Sequence, residues 1–368
     1  MRIGYVCSHY LPSRGGVETH VANIASRVAA AGHVVEVLTE LRDRTLATTS
    51  TIDGVTVRRF IVPLWWQPYS FSPALWRYLA SRSGEYDLIH VHNYHALSSP
   101  GALLARRCPL VLTPHYHGAG HRTLGRPLHA PYRSVGRLLF TRSSRVVCVS
   151  GYEAGLVRRD FPHAADRMTV IPNGVDPEPF RKSSPFNHSG TVLLTVGRLK
   201  RYKNVHLAIE ALALLPPAYS LAIVGDGPAL PSLRRVSQGL GAGNRVTFLG
   251  SVSEENLCRW YRTASVYISM SEAEAFGMTL VEAVAAGSAV VASDIPAHRE
   301  IKEMTGASAV RLLSPLSSPG ELARVIEQAA ASPHDCQARL PTWDAAAQQT
   351  MRLYEDVLED GPAGLAHR

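Results

Sequence analysis

The chain has 368 residues, of which 46% are hydrophobic and 18% are charged, and its formal net charge is +8. This is an ordinary globular composition, and the length favours two domains over one. Since no run of about 18 apolar residues occurs, we expect no membrane-spanning helix.

The five cysteines are scattered, odd in number and free of Cys-x-x-Cys spacing. They fit a reducing cytoplasm better than a disulfide framework or a zinc site. The N-terminus passes directly into a strand pattern without the regions of a signal peptide, so we expect a cytoplasmic protein. The sixteen histidines show no His-Glu-x-x-His motif. We therefore predict neither a metal site nor a cofactor.

The first half of the chain alternates strand and helix patterns. The predicted strands cover residues 3–7, 34–39, 55–61, 88–91, 110–113 and 146–150. The predicted helices cover residues 17–31, 73–82, 96–107, 132–142 and 152–159. Such alternation implies a parallel sheet that is covered on both faces.

Two adjacent glycines, Gly15 and Gly16, lie between the first predicted strand and the first helix. They let backbone amides approach a phosphate at the start of the helix. The pattern is not the Gly-x-Gly-x-x-Gly fingerprint, which argues against a nicotinamide or flavin enzyme. A tight turn without a ligand is the alternative.

Two histidines, His115 and His117, follow the predicted strand 110–113. The loops after parallel strands are where open α/β sheets bind their ligands. We predict that these side chains face a ligand cleft. The alternative is a pair of structural or solvated histidines.

The second half repeats the alternation after a proline-rich connector at residues 172–190. Its predicted strands cover residues 192–196, 221–224, 245–248, 266–269 and 289–292. The sequence thus predicts an α/β protein with domains at 1–180 and 190–340, a ligand crevice between them and a final amphipathic helix within 341–360. The tail, 360–368, is predicted to be disordered.

A basic loop follows the first strand of this second half. Gly197 permits the turn, and Arg198 and Lys203 stand on the strand-to-helix connection. Two fixed cations at that position neutralise a diphosphate without any metal. No Asp-x-Asp motif occurs in the chain, which disfavours a transferase that holds a divalent ion with such a pair. A solvated basic loop is the alternative.

Two carboxylates, Glu274 and Glu282, flank the predicted start of a helix near Phe276. The spacing places the first on the preceding loop and the second about two turns inside the helix. Between them, Gly277 lets the backbone come close to a ligand, and Met278 and Thr279 have free N–H groups that can bind a phosphate. Sugar and ribose hydroxyls are suitable partners for the two carboxylates. An amphipathic helix with two solvated glutamates is the alternative.

In this order, the motifs resemble the retaining GT-B glycosyltransferases of family 4, also called glycosyl transferases group 1. The resemblance covers nearly the whole chain, and its segments are residues 13–20, 171–176, 196–204, 223–228, 245–250 and 271–282. It implies two Rossmann-like, doubly wound parallel-sheet domains that face a central cleft. The N-terminal domain would bind the acceptor and the C-terminal domain the nucleotide sugar, with the last helix crossing back to the N-terminal domain.

The resemblance also implies a reaction. A hexosyl unit would pass from a UDP- or GDP-sugar to a hydroxyl of a lipid-linked or other glycan or glycoside acceptor, with retention and without metal. By this resemblance, His115 and Glu274 would contact the donor sugar, and Glu282 would contact the ribose. Gly16 would lie at the phosphates, and residues 245–252, which include Val252, would line the base. Asn173 belongs to the interdomain motif. Ala275 departs from the glycine that many relatives carry, which leaves the donor sugar open.

Two other functions share this plan. A GT-B nucleotide-sugar epimerase would use cleft carboxylates as acid and base, and a non-catalytic nucleotide-sugar-binding protein would show the same pocket without turnover. Release of the nucleoside diphosphate from a panel of nucleotide sugars discriminates among the three.

Positive charge is concentrated in the N-terminal half. Between Asp87 and Glu153 there is no acidic residue, and eight arginines fall there: Arg106, Arg107, Arg122, Arg126, Arg133, Arg137, Arg142 and Arg145. With the aromatic segment 64–69, they predict a peripheral enzyme on the anionic inner face of the cell membrane. Solvated arginines or a phosphorylated soluble acceptor are the alternatives. Nucleic acid is disfavoured, since no binding motif accompanies the charge.

Overall fold

The chain divides into two α/β units, and its last helix belongs to the first of them. The first unit comprises Met1–Asn173 and Trp343–Arg368, and the second comprises Gly174–Thr342. The computed structural model describes residues 1–13, 15–63, 71–118, 126–306, 308, 310–331 and 339–360, with the backbone alone for 126–133. Within these ranges, no helix has both the length and the apolar character needed to cross a membrane.

The first unit alternates strands and helices. Its strands are β1 (Arg2–Val6), β2 (Val34–Leu41), β3 (Thr49–Ile52), β4 (Val55–Ile61), β5 (Leu88–His92), β6 (Leu110–Thr113), β7 (Arg145–Cys148) and β8 (Met168–Val170). Its helices are α1 (Gly16–Ala30), α2 (Pro73–Arg82), α3 (Ser98–Gly101), α4 (Arg126–Arg142), α5 (Gly151–Asp160) and, from the end of the chain, α13 (Trp343–Glu359).

The described strands of the first unit form one sheet in the order β3-β4-β2-β1-β5-β6-β7-β8. All neighbours run parallel except β3 and β4. β1 pairs on one side with β2 and on the other with β5, so that Ile3 lies opposite both Val35 and Leu88. The strands that follow β1 along the chain lie first on one side of it, from β2 to β4, and then on the other side, from β5 to β8. The carboxyl ends of β1 and β5 therefore form a topological switch point, the usual place for a ligand.

Helix α13 is held on the first unit by buried polar contacts as well as by apolar packing. The Tyr354 hydroxyl lies 2.7 Å from that of Tyr5 on β1 and 2.6 Å from Nδ1 of His90 on β5. At the surface, Arg27 Nε of α1 donates to Asp344 at 2.6 Å. Because the buried hydroxyls find partners on two central strands, α13 is an integral layer of this unit.

The second unit has the same alternation. Its strands are β9 (Thr191–Val196), β10 (Tyr219–Val224), β11 (Val246–Gly250), β12 (Val266–Ser269), β13 (Ala289–Ser293) and β14 (Val310–Leu313). Its helices are α6 (Pro177–Lys182), α7 (Val205–Leu214), α8 (Leu230–Gly239), α9 (Glu254–Thr263), α10 (Met278–Ala286), α11 (Pro296–Thr305) and α12 (Pro319–Ala330).

The sheet of the second unit is parallel between all its described strands, in the order β11-β10-β9-β12-β13-β14. This is the doubly wound order 3-2-1-4-5-6 of Rossmann folds. The switch point lies between β9 and β12. The loops that follow these two strands carry the basic motif and the first glutamate of the sequence analysis.

The predicted fold class, α/β with two parallel-sheet domains, is confirmed. Several edge elements differ from the prediction: β3, β8 and β14 were not predicted, and residues 96–107 form only the short α3 and a turn of 3₁₀ helix. The sequence of β3, Thr-Ser-Thr-Ile, carries too little apolar residue alternation to be recognised. The predicted connector, 172–190, contains α6, and the units divide after Asn173. The tail from 361 onward lies outside the described residues.

Candidate active site

The basic loop after β9 is fixed by close backbone contact with the turn after β10. Gly197 has φ 142°, and its N–H donates to Val224 O at 3.0 Å. A Cβ on Gly225 would lie 2.1 Å from Gly197 O, so the two turns touch through their backbones. This contact sets the path of the loop, while the side chain of Arg198 remains exposed.

The loop after β12 is tied to the basic loop at several points. Lys203 Nζ forms an ion pair with Glu274, and both side chains are largely buried. Glu272 N–H donates to Tyr202 O at 2.9 Å, and the Asn204 amide donates to Met270 O at 3.2 Å. The structure thus brings the predicted Lys203 and Glu274 into direct contact, although 70 residues separate them in sequence.

Helix α10 begins two residues later than the sequence predicts. Its N-cap is Gly277 with φ 106°, and a Cβ there would lie 2.9 Å from Ile301 Cδ1. Phe276 is 4% exposed and belongs to the core rather than to the helix. The N–H groups of Met278 and Thr279 stand in the first turn, where the helix dipole favours an anion. Glu282 consequently lies about one turn inside the helix, and the predicted two turns are wrong.

Glu282 is held by a neighbouring helix. The hydroxyl of Tyr261 on α9 donates to Glu282 Oε2 at 2.7 Å. Burial raises the pKa of this carboxyl to about 7, against the smaller opposing effect of the Tyr261 hydrogen bond. Val252, the predicted base-pocket residue, is half-buried on the segment that follows β11. The carboxyl group of Glu282 therefore changes between its protonated and its ionised form near neutral pH.

A small cleft lies at the switch point of the second unit. It is bordered by both loops and by polar side chains at the ends of β9 and β12, and its lining includes Thr195, Gly197, Arg198, Lys203, Ser269 and Ser271. Hydroxyl groups and cations converge here from two adjacent strands. The two serines and the threonine were not among the predicted site residues, and their only sequence signal is their position at strand ends.

In the first unit, His115 lies in a cluster of three histidines at the switch point. It follows β6, His92 ends β5, and His20 lies on α1. The ring centroids are 5.0 Å apart for His20 and His115, 5.3 Å for His20 and His92, and 5.8 Å for His92 and His115. His20 and His92 were not predicted. They come together from separate segments, so no local motif shows the cluster.

Burial keeps this cluster neutral. It lowers the pKa of His20 to about 4, and it lowers the pKa of His92 and His115 well below the usual range. The predicted site residue Asn173 is 4% exposed, and its Oδ1 lies 2.7 Å from His20 Nδ1. The predicted residue Asn173 therefore orients the His20 ring.

The remaining predicted residues have separate positions in the first unit. Gly15 caps α1 in an extended conformation, and a Cβ on Gly16 would meet nothing within 4 Å. Neither backbone strain nor packing within the described chain requires glycine at Gly16, and there is free space beside it at the start of α1. His117 stacks on His95 at a ring-centroid distance of 4.9 Å and is not part of the three-histidine cluster.

Comparison with known proteins decides the family. The model of Glycosyltransferase Family 4 matches residues 14–179, and that of Glycosyl transferases group 1 matches residues 176–341. The chain belongs to glycosyltransferase family 4. It is therefore a glycosyltransferase, as the sequence motifs predict.

Among its relatives, phosphatidyl-myo-inositol mannosyltransferase of Mycolicibacterium smegmatis is 30% identical over 97% of this chain and 94% of its own length. The protein of that name from Mycobacterium tuberculosis H37Rv is 29% identical over 98% of both chains. D-inositol 3-phosphate glycosyltransferase of Frankia alni is 29% identical over 96% of both.

Solved structures show the same fold. Sucrose-phosphate synthase from Thermosynechococcus elongatus superposes with a TM-score of 0.80 at 23% identity, covering 98% of this family-4 chain and 100% of its own. Anabaena HepE in complex with UDP-glucose has a TM-score of 0.70 at 22% identity, covering 98% and 99%. The predicted GT-B fold is confirmed.

Proposed function

We propose that this family-4 enzyme transfers a hexosyl unit, with retention and without metal, from a UDP- or GDP-sugar to a hydroxyl of an inositol-containing or other lipid-linked glycan acceptor. The observation that carries the proposal is the convergence of Arg198, Lys203 and Glu274 at the switch point of the second unit. Doubly wound sheets bind nucleotides at this place.

The Lys203–Glu274 ion pair suits exchange for a bound donor. Within the described part of the chain, Arg198 forms no side-chain hydrogen bond or ion pair, and the charge of Lys203 is neutralised by Glu274. A diphosphate would replace Glu274 as the partner of Lys203 and recruit Arg198. Glu274 would then accept hydrogen bonds from hydroxyls of the donor sugar, so donor binding would cost no unpaired charge.

The remaining donor contacts follow from the neighbouring elements. The first-turn N–H groups of α10 would bind phosphate oxygens, and Glu282 would accept hydrogen bonds from the ribose. The segment 245–252 would line the base.

Transfer would be driven by electrostatics and positioning. The bond from the anomeric carbon to the diphosphate oxygen breaks, the acceptor oxygen attacks the same face, and its proton passes to the departing phosphate. Arg198, Lys203 and the α10 N-terminus stabilise the charge that develops on the diphosphate. His115 would contact the donor sugar as a neutral hydrogen-bonding group.

The acceptor class rests on the relatives and on charge. Relatives along nearly the whole chain are named for phosphatidyl-myo-inositol or inositol phosphate. Of the eight arginines, Arg142 donates to Ala105 O and Cys108 O at 3.4 and 3.2 Å, and Arg145 pairs with Asp360 at 2.6 Å. These two serve the fold. Arg137 is exposed on α4 beside Leu138, which is 56% exposed, a combination that suits an anionic lipid surface.

A donor and acceptor panel tests the proposal. The protein is incubated in the presence of a chelator with UDP- and GDP-sugars, alone or with phosphatidylinositol vesicles or inositol phosphate, and nucleoside diphosphate and glycoside are measured. We expect release of diphosphate, accelerated by one acceptor, with an α-linked product from an α-linked donor. Interconversion of the nucleotide sugar would indicate an epimerase, and binding without turnover a non-catalytic protein; either result rejects the proposal.

A further inference from the structure

The three histidines at the switch point of the first unit bring ring nitrogens close together. One nitrogen from each of His20, His92 and His115 lies within 4.8 Å of the other two. In a tetrahedral zinc site with N–Zn distances of about 2.0–2.1 Å, the nitrogens are roughly 3.4 Å apart. Metal binding would draw the three nitrogens together from separations of at most 4.8 Å.

Three ring nitrogens of this cluster lack hydrogen-bond partners within the described part of the chain. Within the described part of the chain, neither ring nitrogen of His92 and not Nε2 of His115 forms a hydrogen bond, although all are buried. An unsatisfied buried polar atom is costly, and three of them in two neighbouring histidines indicate a missing partner. A shared cation satisfies them together.

A second layer of contacts orients one ligand. The Asn173 amide oxygen accepts a hydrogen bond from His20 Nδ1 at 2.7 Å, which fixes the tautomer with a lone pair on Nε2. Metal-bound histidines have this arrangement, with the far nitrogen donating to an oxygen of the protein. The aromatic rings of Tyr5 and Trp343 lie 5.6 Å from His92 and 5.9 Å from His20, and they form an apolar surround.

We propose that His20, His92 and His115 form a site for one divalent transition-metal ion, with Zn²⁺ as the preferred occupant and the fourth position left to water. Neutral imidazoles are good ligands for Zn²⁺, Co²⁺ and Ni²⁺ and poor ligands for Mg²⁺ or Ca²⁺, which require oxygen. The absence of carboxylates from the cluster sets the same preference.

Metal binding has a consequence for transfer, which rests on the proposed function. Coordination consumes the His115 nitrogen that would contact the donor sugar. The metal-bound form is therefore inhibited, and the metal-free form is active. The site would make the enzyme sensitive to free Zn²⁺ rather than dependent on it.

The binding test uses Co²⁺ as a probe, because tetrahedral Co²⁺ absorbs strongly in the visible range. After treatment with a chelator and desalting, the full-length protein is titrated with Co²⁺ and then with Zn²⁺. We expect one equivalent of tetrahedral Co²⁺, displaced by Zn²⁺. Absence of a visible band in folded protein at about millimolar Co²⁺ rejects the site.

Variants assign the signal. His92→Ala removes a ligand and should abolish the band, whereas Asn173→Ala keeps three ligands and should weaken binding roughly 10- to 100-fold. His188→Ala, at an exposed loop position in the second unit, is the matched control and should bind like the wild type. If His92→Ala fails to fold by circular dichroism, Asn173→Ala decides. An unchanged affinity in Asn173→Ala counts against the site.

The activity measurement separates the two proposals. Zn²⁺ at saturating occupancy should suppress transfer, and a chelator should restore it in the wild type and in His188→Ala. Binding without inhibition keeps the metal site and rejects the role of His115 in transfer. A positive donor panel with no metal binding keeps the proposed function and rejects the site.

Discussion

At the scale of single residues, the two cations of the basic loop differ in their surroundings in the free protein. Lys203 is neutralised by Glu274, whereas Arg198 is exposed to solvent. We expect Arg198→Ala and Lys203→Ala each to lower kcat by about 100- to 1000-fold, because one electrostatic partner of the leaving group is worth about 2.7–4 kcal/mol. Steady-state kinetics with the donor that the panel of nucleotide sugars identifies measures the effect.

The control for this prediction is Arg235→Ala, an exposed arginine on α8 in the same unit. It should leave kcat within about twofold of the wild type. Thermal unfolding should show little change for Arg198→Ala and Arg235→Ala, because both side chains are exposed, and a larger decrease for Lys203→Ala, which leaves Glu274 without its partner. Near-normal turnover in both loop variants would reject the diphosphate assignment.

We expect donor binding to depend on pH through Glu282, the residue proposed to bind the ribose. Its pKa is raised to about 7, so its carboxylate is present above that pH and is lost as the pH falls through it. We expect the donor KM to fall as the pH rises from about 6 to 8. Glu282→Gln should flatten this dependence, while Glu255→Gln, exposed on α9, should retain it. A parallel pH profile in Glu282→Gln contradicts the ribose role.

At the scale of elements, the start of α10 depends on one glycine. Gly277 has φ 106°, which strains any residue with a Cβ, and a Cβ there would lie 2.9 Å from Ile301 Cδ1, so that this side chain would have to move. We expect Gly277→Ala to lower the free energy of unfolding by about 1–3 kcal/mol and to weaken donor binding, because the helix N-terminus must shift. Urea denaturation and calorimetry with the nucleoside diphosphate measure the two effects.

The matched control is Gly239→Ala at the end of α8, where a Cβ meets nothing within 4 Å. That substitution should be neutral or stabilise the protein by less than about 1 kcal/mol. Equal effects of the two substitutions would show that the Gly277 conformation is not needed.

Sequence patterns predict β4, β6 and β12 with their observed bounds. β6 and β12 are buried at every residue, and their sequences are correspondingly apolar, whereas β4 alternates buried and half-buried residues, the period-2 pattern of a strand. The loops that carry Arg198 and Glu274 follow such strands, so their placement at one sheet edge could be predicted. The ion pair between Lys203 and Glu274 could not, since it depends on the side-chain geometry of two loops.

The histidine cluster could be predicted from the sequence only in part. His115 is predicted because it lies two residues after the predicted strand 110–113. His92 directly follows the predicted strand 88–91 and carries the same signal, so it could have been found, whereas His20 lies on a helix, where a histidine gives no such signal. Only the strand order, with β1 next to β5, brings these three side chains together.

At the scale of the whole molecule, the buried histidines predict different acid stability for the two units. The first unit holds His20, with its pKa lowered to about 4, and His90, His92 and His115, with pKa values well below the usual range. Unfolded histidines bind protons below about pH 6.5 and these folded ones do not. Their contribution to stability is thus complete above that pH and is lost as the pH falls toward 4.

Each such histidine costs up to about 1.4 kcal/mol per pH unit in this range. Hydrogen exchange at about pH 7.5, 6 and 5 measures the effect by unit. We expect β1 and β5 to lose protection at higher pH than β9 and β12. Equal loss in both units, or first loss in the second, contradicts the prediction.

The last prediction concerns association of the whole protein with lipid and depends on α4. Its exposed face combines Arg137 with two apolar side chains, Val135 and Leu138, that are 37% and 56% exposed. The side chain of Arg133 and the aromatic segment 64–69 lie outside the described residues, and Arg142 serves the fold, so Arg137 and Leu138 are the positions to change.

We expect Arg137→Gln/Leu138→Ser to weaken binding to anionic vesicles by roughly tenfold. One cation near such a surface contributes about 1 kcal/mol to the binding free energy, and insertion of the leucine side chain into the lipid adds to it. Arg324→Gln/Leu214→Ser, an equally exposed pair of positions on α12 and α7, is the matched control and should bind like the wild type. Co-sedimentation at increasing salt measures binding, which should weaken as salt screens the charges. If the wild type fails to bind at low salt, or both double variants bind equally, α4 is not a lipid-binding surface and a soluble inositol phosphate becomes the better acceptor.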